Sequence, residues 1–212
     1  NNTLRNIFLA LLCVVGITSH YNERLNFINQ WDKQVELWEQ LSWRVPQLKP
    51  RTTLLTADSS IHRLFTGTTL SGPLNLIYDA GNHNPEYTFF SVLMDSNQAD
   101  FIPSLKPNQD FNINLRTLEF HGNTDLLLVY LQPREGCVQV LSDGIVPIVP
   151  NLNYPKKSWQ TLATISNLNT IVTQPEVLVE LPEKDFGKSN TNQWCYVYQK
   201  ADLARQEGDW EK

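Results

Sequence analysis

The chain has 212 residues, of which 17 are Lys or Arg and 22 are Asp or Glu, giving a net charge of −5. Charged residues make up 18% of it, below the usual quarter, and no basic run is present, which argues against nucleic acid as a partner. Its length allows one domain with a core of its own, and the twenty Asn and twelve Pro predict many turns.

The first predicted element is apolar. Ile7–Ile17 carries no charge, and as a helix it spans about 17 Å, roughly half of a bilayer's hydrocarbon core. Three readings fit it: part of a transmembrane helix, the apolar region of a signal peptide headed by Arg5, or a buried core helix. The run is apolar on every face, unlike a half-exposed surface helix. Gly16-Ile17-Thr18 is a poor signal-cleavage site, and Leu12 before Cys13 does not fit a lipoprotein. The membrane helix is the reading adopted, as a remnant over residues 1–21. The chain opens on Asn1 and stops at Lys212 within a helical pattern, as a segment of a larger protein would. Arg5 ahead of the run places the N-terminal side in the cytoplasm and the remainder outside it.

A long amphipathic connector helix is expected over 22–46. Phe27, Ile28, Trp31, Val35, Trp38 and Leu41 recur at three- and four-residue steps, with Asp32, Lys33, Glu36, Glu39 and Gln40 on the other side. Trp31, Trp38 and Trp43 suit either an interfacial belt or a core, and the stripe reads as core. Val45-Pro46 ends the helix, because the residue before proline is pushed out of the α region.

An α/β domain is expected over 47–189, with a mixed sheet of about five strands and flanking helices. Thr52–Ala57 reads as a strand, and Asp58-Ser59-Ser60 as the cap of a helix through about Phe65. Ser71-Gly72-Pro73 reads as a break, Leu74–Tyr78 as a short helix or strand, and Tyr87–Met94 as a strand. Asp95–Asp110 is loop-like. Phe111, Ile113 and Leu115 alternate with Asn112, Asn114 and Arg116, and a phase shift at Arg116-Thr117 predicts a bulge or bend. His121–Thr124 reads as a hairpin turn into a strand over Leu126–Leu131. Cys137–Leu141 is a short strand. Ile145–Pro155 is irregular, Ser158 caps a short helix, Glu176–Glu180 is a short β segment and Lys184–Asn192 a polar linker. A last helix is expected over 190–212, with Trp194, Val197, Tyr198, Ala201 and Ala204 on one side. Cys137 and Cys195 can pair in an oxidising compartment, or stand apart as two buried thiols.

Two stretches carry a resemblance. Trp38-Glu39-Gln40-Leu41-Ser42-Trp43-Arg44-Val45-Pro46, followed by Lys49–Leu55, and Trp194–Trp210 resemble uncharacterised polytopic membrane proteins of bacteria such as cyanobacteria and Chloroflexi. The resemblance implies a multi-helix membrane part followed by an extracytoplasmic soluble domain. Ala201–Trp210 is also similar to the first helix and turn of a tetratricopeptide-type repeat, which implies a repeat-like region after the last helix. Membrane parts of this general kind look like those of glycosyltransferases acting on lipid-linked sugars. The resemblance brings no catalytic residue with it.

No nucleotide-binding glycine motif, nucleophile elbow or zincin motif occurs, and no Cys/His spacing suits zinc. The densest chemistry is Asp79, His83 and Glu86 in one Asn-, Gly- and Pro-rich stretch, which could converge on a metal or do acid/base work but reads first as a solvated turn. Asp58, after a strand, stands where α/β ligands often bind, although a capping role is simpler. No cofactor or metal is implied. The function expected is a non-catalytic accessory or interaction domain of an integral membrane protein. The alternatives are the soluble part of a membrane glycosyltransferase and a secreted binding protein. The expected partners are the membrane, through the N-terminal helix, and a protein or glycan.

Overall fold

A computed structural model describes residues 2–59, 67–81, 87–93, 108–115, 118–132, 136–143 and 162–208. They form two compact units, Asn1–Glu36 and Leu37–Lys212.

Helix α1 (Asn2–Arg44) is continuous through both predicted N-terminal elements. At 1.5 Å per residue its 43 residues make a rod of about 65 Å. In the first unit its apolar side chains stand in solvent, from Leu4 to Trp31. It is long and apolar enough to cross a membrane, and none of its most apolar stretch is buried. The connector stripe therefore divides. Phe27, Ile28 and Trp31 are exposed, whereas Trp38 and Leu41 are in the core of the second unit. Glu39 and Gln40, expected to face water, are buried there too. The helix ends at Arg44, where Val45-Pro46 prevents its continuation.

The second unit is α/β. Its main sheet has the order β2-β1-β5-β6, built from β1 (Thr53–Ser59), β2 (Phe90–Leu93), β5 (Leu127–Gln132) and β6 (Gln139–Val140). β1 is parallel to both β2 and β5, and β6 is antiparallel to β5, so the sheet is mixed. β5 is the central apolar run, buried along its whole length, as a strand covered on both faces must be. Leu55, Leu127, Val129, Leu131, Leu141, Leu162 and Ala163 form a core on one side of it. β1 continues through Asp58 and Ser59, with a register shift between Thr56 and Asp58, so these two residues lie in the strand and not in a helix cap.

Helix α2 (Gly67–Tyr78) joins β1 to β2 and contains Pro73, which the sequence reading took as part of a break. Tertiary contacts hold the helix across it. Leu70, Leu74, Ile77 and Tyr78 are buried on one side. The Asn75 amide donates to Phe89 O at 2.6 Å and accepts from Phe89 N–H at 2.9 Å, clasping α2 to the chain entering β2. Asn75→Ala leaves that N–H without its acceptor and is expected to cost about 1–3 kcal/mol, read by denaturant titration.

The hairpin expected around a turn at His121–Thr124 does not form, because β5 pairs with β1 and β6 and not with the strand before it. β3 (Asp110–Leu115) pairs with β4 (Leu118–Asn123) in a separate two-stranded sheet, with Leu115 opposite Leu118. Arg116-Thr117, where a bulge or bend is expected, lies outside the described residues. His121-Gly122-Asn123 lies in β4, a 3-10 turn follows over Thr124–Leu126, and β5 departs to the main sheet. Phe120 is buried and stacks on Phe90 at 5.0 Å between ring centroids, which ties the small sheet to the large one. Phe111 lies directly over Gly122, where an added Cβ would overlap its ring. Gly122→Ala is expected to destabilise by about 1–3 kcal/mol through overpacking, with partial recovery in Gly122→Ala/Phe111→Leu, measured by thermal unfolding.

The chain after the core is mostly irregular. A helical turn spans 162–165, Glu176–Glu180 forms no strand, and a short helix α3 (Glu183–Phe186) with Phe186 buried interrupts the expected linker. Val179 N–H bonds Pro46 O instead of a strand partner. Helix α4 (Trp194–Glu207) closes the unit, ending on Gly208 in the left-handed conformation (φ 73°), where a glycine is the least strained residue.

Candidate functional site

Of the acidic and histidine residues nominated from the sequence, Asp58 and Asp79 are among the described residues, in β1 and just after α2. Asp79 follows the last residue of α2. Its N–H bonds Asn75 O, and its carboxylate accepts the Thr88 hydroxyl. That contact makes it a fastener between α2 and the chain entering β2. His83 and Glu86 lie outside the described residues, as do Ser60–Phe65 and Ser158. Asp58 sits opposite Leu131 in the register of β1 and β5, near the carboxyl end of the parallel pair. Among the described residues, no group of three His, Cys, Asp or Glu could hold a metal ion.

The chemistry that does converge lies between the end of α1 and α4. The α1 segment offers Glu39, Gln40, Trp43 and Arg44 on adjacent helical rows. α4 offers Cys195, Gln199, Asp202 and Gln206 at steps of four, three and four, which is one helical face. At its head, Cys195 is bonded to Cys137, with Cα atoms 5.2 Å apart, within the ordinary range for a disulfide. One turn on, the Gln199 amide donates to Val138 O at 2.7 Å and to Gln40 Oε1 at 3.3 Å, while Val138 N–H donates to the same Gln40 oxygen at 2.6 Å. Further along, Arg44 Nε meets Asp202 Oδ2 at 2.6 Å, and Arg44 Nη1 meets Gln206 Oε1 at 2.7 Å. Gln206 Nε2 then reaches Leu168 O at 3.1 Å. Trp43 and Tyr196 pack edge to face at 5.3 Å beside this row.

The Arg44 side chain is 1% exposed and that of Asp202 14%. Asp202 also receives Arg205 through its other oxygen at 2.7 Å, so one carboxylate serves two guanidinium groups. Burial, and then the Asp202 charge, push the Tyr198 phenol above its usual range, and burial lowers Lys200. Two further phenols are buried in the unit and raised by desolvation. Tyr78 donates to Val45 O at 3.0 Å, and Tyr130 is bonded to the Thr56 side chain. Arg44, Gln199, Tyr78 and Tyr130 are closed in by protein, where they orient backbone and helices.

The apolar side expected on α4 divides: Trp194, Val197 and Ala201 stand in solvent, Ala204 is buried, and Cys195, Gln199, Asp202 and Gln206 make the contacts with the rest of the unit. The legible signal was the matched spacing of Gln40/Arg44 and Gln199/Asp202/Gln206, polar side chains that satisfy one another when the two helices meet.

A second polar array lies on the small sheet. Its register sets Asp110 opposite Asn123 and Asn112 opposite His121. Asn123 Nδ2 donates to Asp110 at 2.9 Å, Arg51 approaches the same carboxylate at 3.3 Å, and His121 Nδ1 lies 2.7 Å from Asn112 Oδ1. The Asn123 hydrogen bond, and then Arg51, hold Asp110 below its usual range, with desolvation working the other way. A depressed folded value gives stabilisation that is present above the unfolded value and lost as pH falls through the folded one. The hairpin end is therefore expected to loosen only on acidification below the ordinary carboxylate range. Faster exchange of the Thr124 amide, which bonds Gln109 O, would report this, and Asp110→Asn should abolish the pH dependence.

No protein-family model, curated protein or solved structure matches this chain.

Proposed function

We propose that the chain is a non-catalytic accessory domain, held at a membrane by α1 and working outside the cytoplasm through contacts with a protein or glycan partner. The observation that carries this reading is the Cys137–Cys195 disulfide in a chain whose N-terminal helix is apolar and exposed. Disulfides form and persist in oxidising compartments and are rare in reducing ones. A helix with no buried side chain in its most apolar stretch gains most by exchanging water for lipid. Arg5 ahead of that stretch favours the orientation that leaves residues 37–212 outside. The buried polar groups support a non-catalytic role, because they serve to fix helices.

The test uses membranes carrying the protein. Denatured without reductant, each chain is expected to take one maleimide, at Cys13, the free cysteine. After reduction it should take three. Protease added to right-side-out vesicles should digest the domain. Three reactive thiols before reduction, or protection from the protease, would sink the reading.

A further inference from the structure

Helix α4 has two faces of opposite chemistry. Its inner face is fastened at four successive points: the disulfide at Cys195, the Gln199 amide, the Asp202 carboxylate and the Gln206 amide. A helix held in this way cannot roll, so its outer face is fixed as well. That face presents Trp194, Val197 and Ala201, at steps of three and four residues, in solvent. Trp194 is 74% and Val197 55% exposed. A scattered exposed apolar residue needs no explanation, but a tryptophan heading a helical stripe is the residue type that most often anchors an interface. Arg205 continues the same row and Lys200 flanks it, both exposed. Asp202 is shared by Arg44 and Arg205 and so leaves that cluster with a surplus of positive charge, to which Lys200 adds, with Glu207 the acidic residue at the end of the helix.

The size of the stripe narrows the occupant. By the usual side-chain areas, Trp, Val and Ala together offer roughly 300 Å² of apolar surface. A stable pair of globular subunits needs about 800 Å² from each. The stripe fits one amphipathic helix laid along α4 and read at positions i, i+3 and i+7. We propose that the outer face of α4 docks such a helix from a partner protein, with an apolar row against Trp194, Val197 and Ala201 and Asp or Glu residues facing Lys200 and Arg205. This rests on the interaction-domain reading above and names its docking face and the chemistry of its partner.

The experiment places p-benzoylphenylalanine at Val197, and separately at Asn112 on the polar face of the small sheet, in the full chain in its native membranes. Cross-linked peptides are then sequenced. The expected result is an adduct at Val197 with a segment of another protein that carries apolar residues at three- and four-residue steps and an acidic flank. Lys200→Glu should lower that adduct's yield by about tenfold, equivalent to about 1.4 kcal/mol. The thiol count of the variant should stay unchanged, which shows that the fold is intact. Adducts to lipid, to a second copy, to the same chain, or none above background overturn the proposal. An adduct at Asn112 alone overturns the docking face and leaves the interaction reading standing, whereas silence at both positions overturns both.

Discussion

Cys137→Ala/Cys195→Ala is expected to cost the domain about 4 kcal/mol, because the bond closes a long loop in the unfolded chain. The two residues are 58 positions apart, and the chain-entropy relation gives that figure for a loop of this length. It is a large share of the 5–15 kcal/mol typical of a whole domain. The bond also sits at one end of the polar row, since Val138 and Gln199, next to and one turn beyond the bonded cysteines, share Gln40. Its loss should therefore loosen α4 first and the sheet later. Denaturant titration of the oxidised and reduced protein measures the stability difference, and amide exchange along α4 gives the order. Equal midpoints for the two forms would mean that the bond holds nothing the packing does not already hold.

The second large effect is expected at Arg44. Asp202→Ala leaves a buried guanidinium with one amide partner and should cost about 3–5 kcal/mol. Replacing both partners, as in Arg44→Met/Asp202→Leu, should be far milder, because two apolar side chains of similar volume remove the charge along with its partner. The pair is thus expected to specify where α4 sits more than to stabilise the domain. The double variant should keep most of its stability while the Trp43–Tyr196 contact, 5.3 Å in the native arrangement, becomes less uniform. Unfolding curves and the near-ultraviolet circular dichroism of those rings give the two readouts. A double variant as unstable as Asp202→Ala would show that the ion pair contributes net stability.

Much of the fold can be read from the sequence where local chemistry and burial agree. Val45-Pro46 stops α1, alternation marks β3, and the α/β class follows from strands interspersed with capped and periodic helical stretches. The departures occur where tertiary contacts override a local signal. Pro73 reads as a break, yet Asn75 and four buried side chains carry α2 past it. The turn expected at His121–Thr124 is strand through Asn123 instead, because Asp110–Leu115 pairs with Leu118–Asn123, a partner that alternation alone does not name. On α4 apolarity alone does not mark the inner side: Leu203 and Ala204 are buried, but so is Gln199, and Asp202 and Gln206 bond groups more than 35 positions away in the chain. Asp58, nominated from its place after a strand, is in the strand, and Asp79 is occupied by Thr88.

The fastening of Arg44 to Asp202 joins positions 158 apart, and this governs how the protein can be made. Synthesis runs from the amino end, so the end of α1 emerges long before the helix that receives it. Until α4 arrives, Arg44 lacks the Asp202 and Gln206 side chains that make its burial tolerable, and the central strands too pair residues as distant as Thr53 and Leu127. Contacts of such long range fold slowly. Maturation therefore finishes in a single late event, when α4 docks and the thiols oxidise. A chain cut short before Cys195 would keep Arg44 without its carboxylate and its disulfide unformed, open to proteolytic quality control.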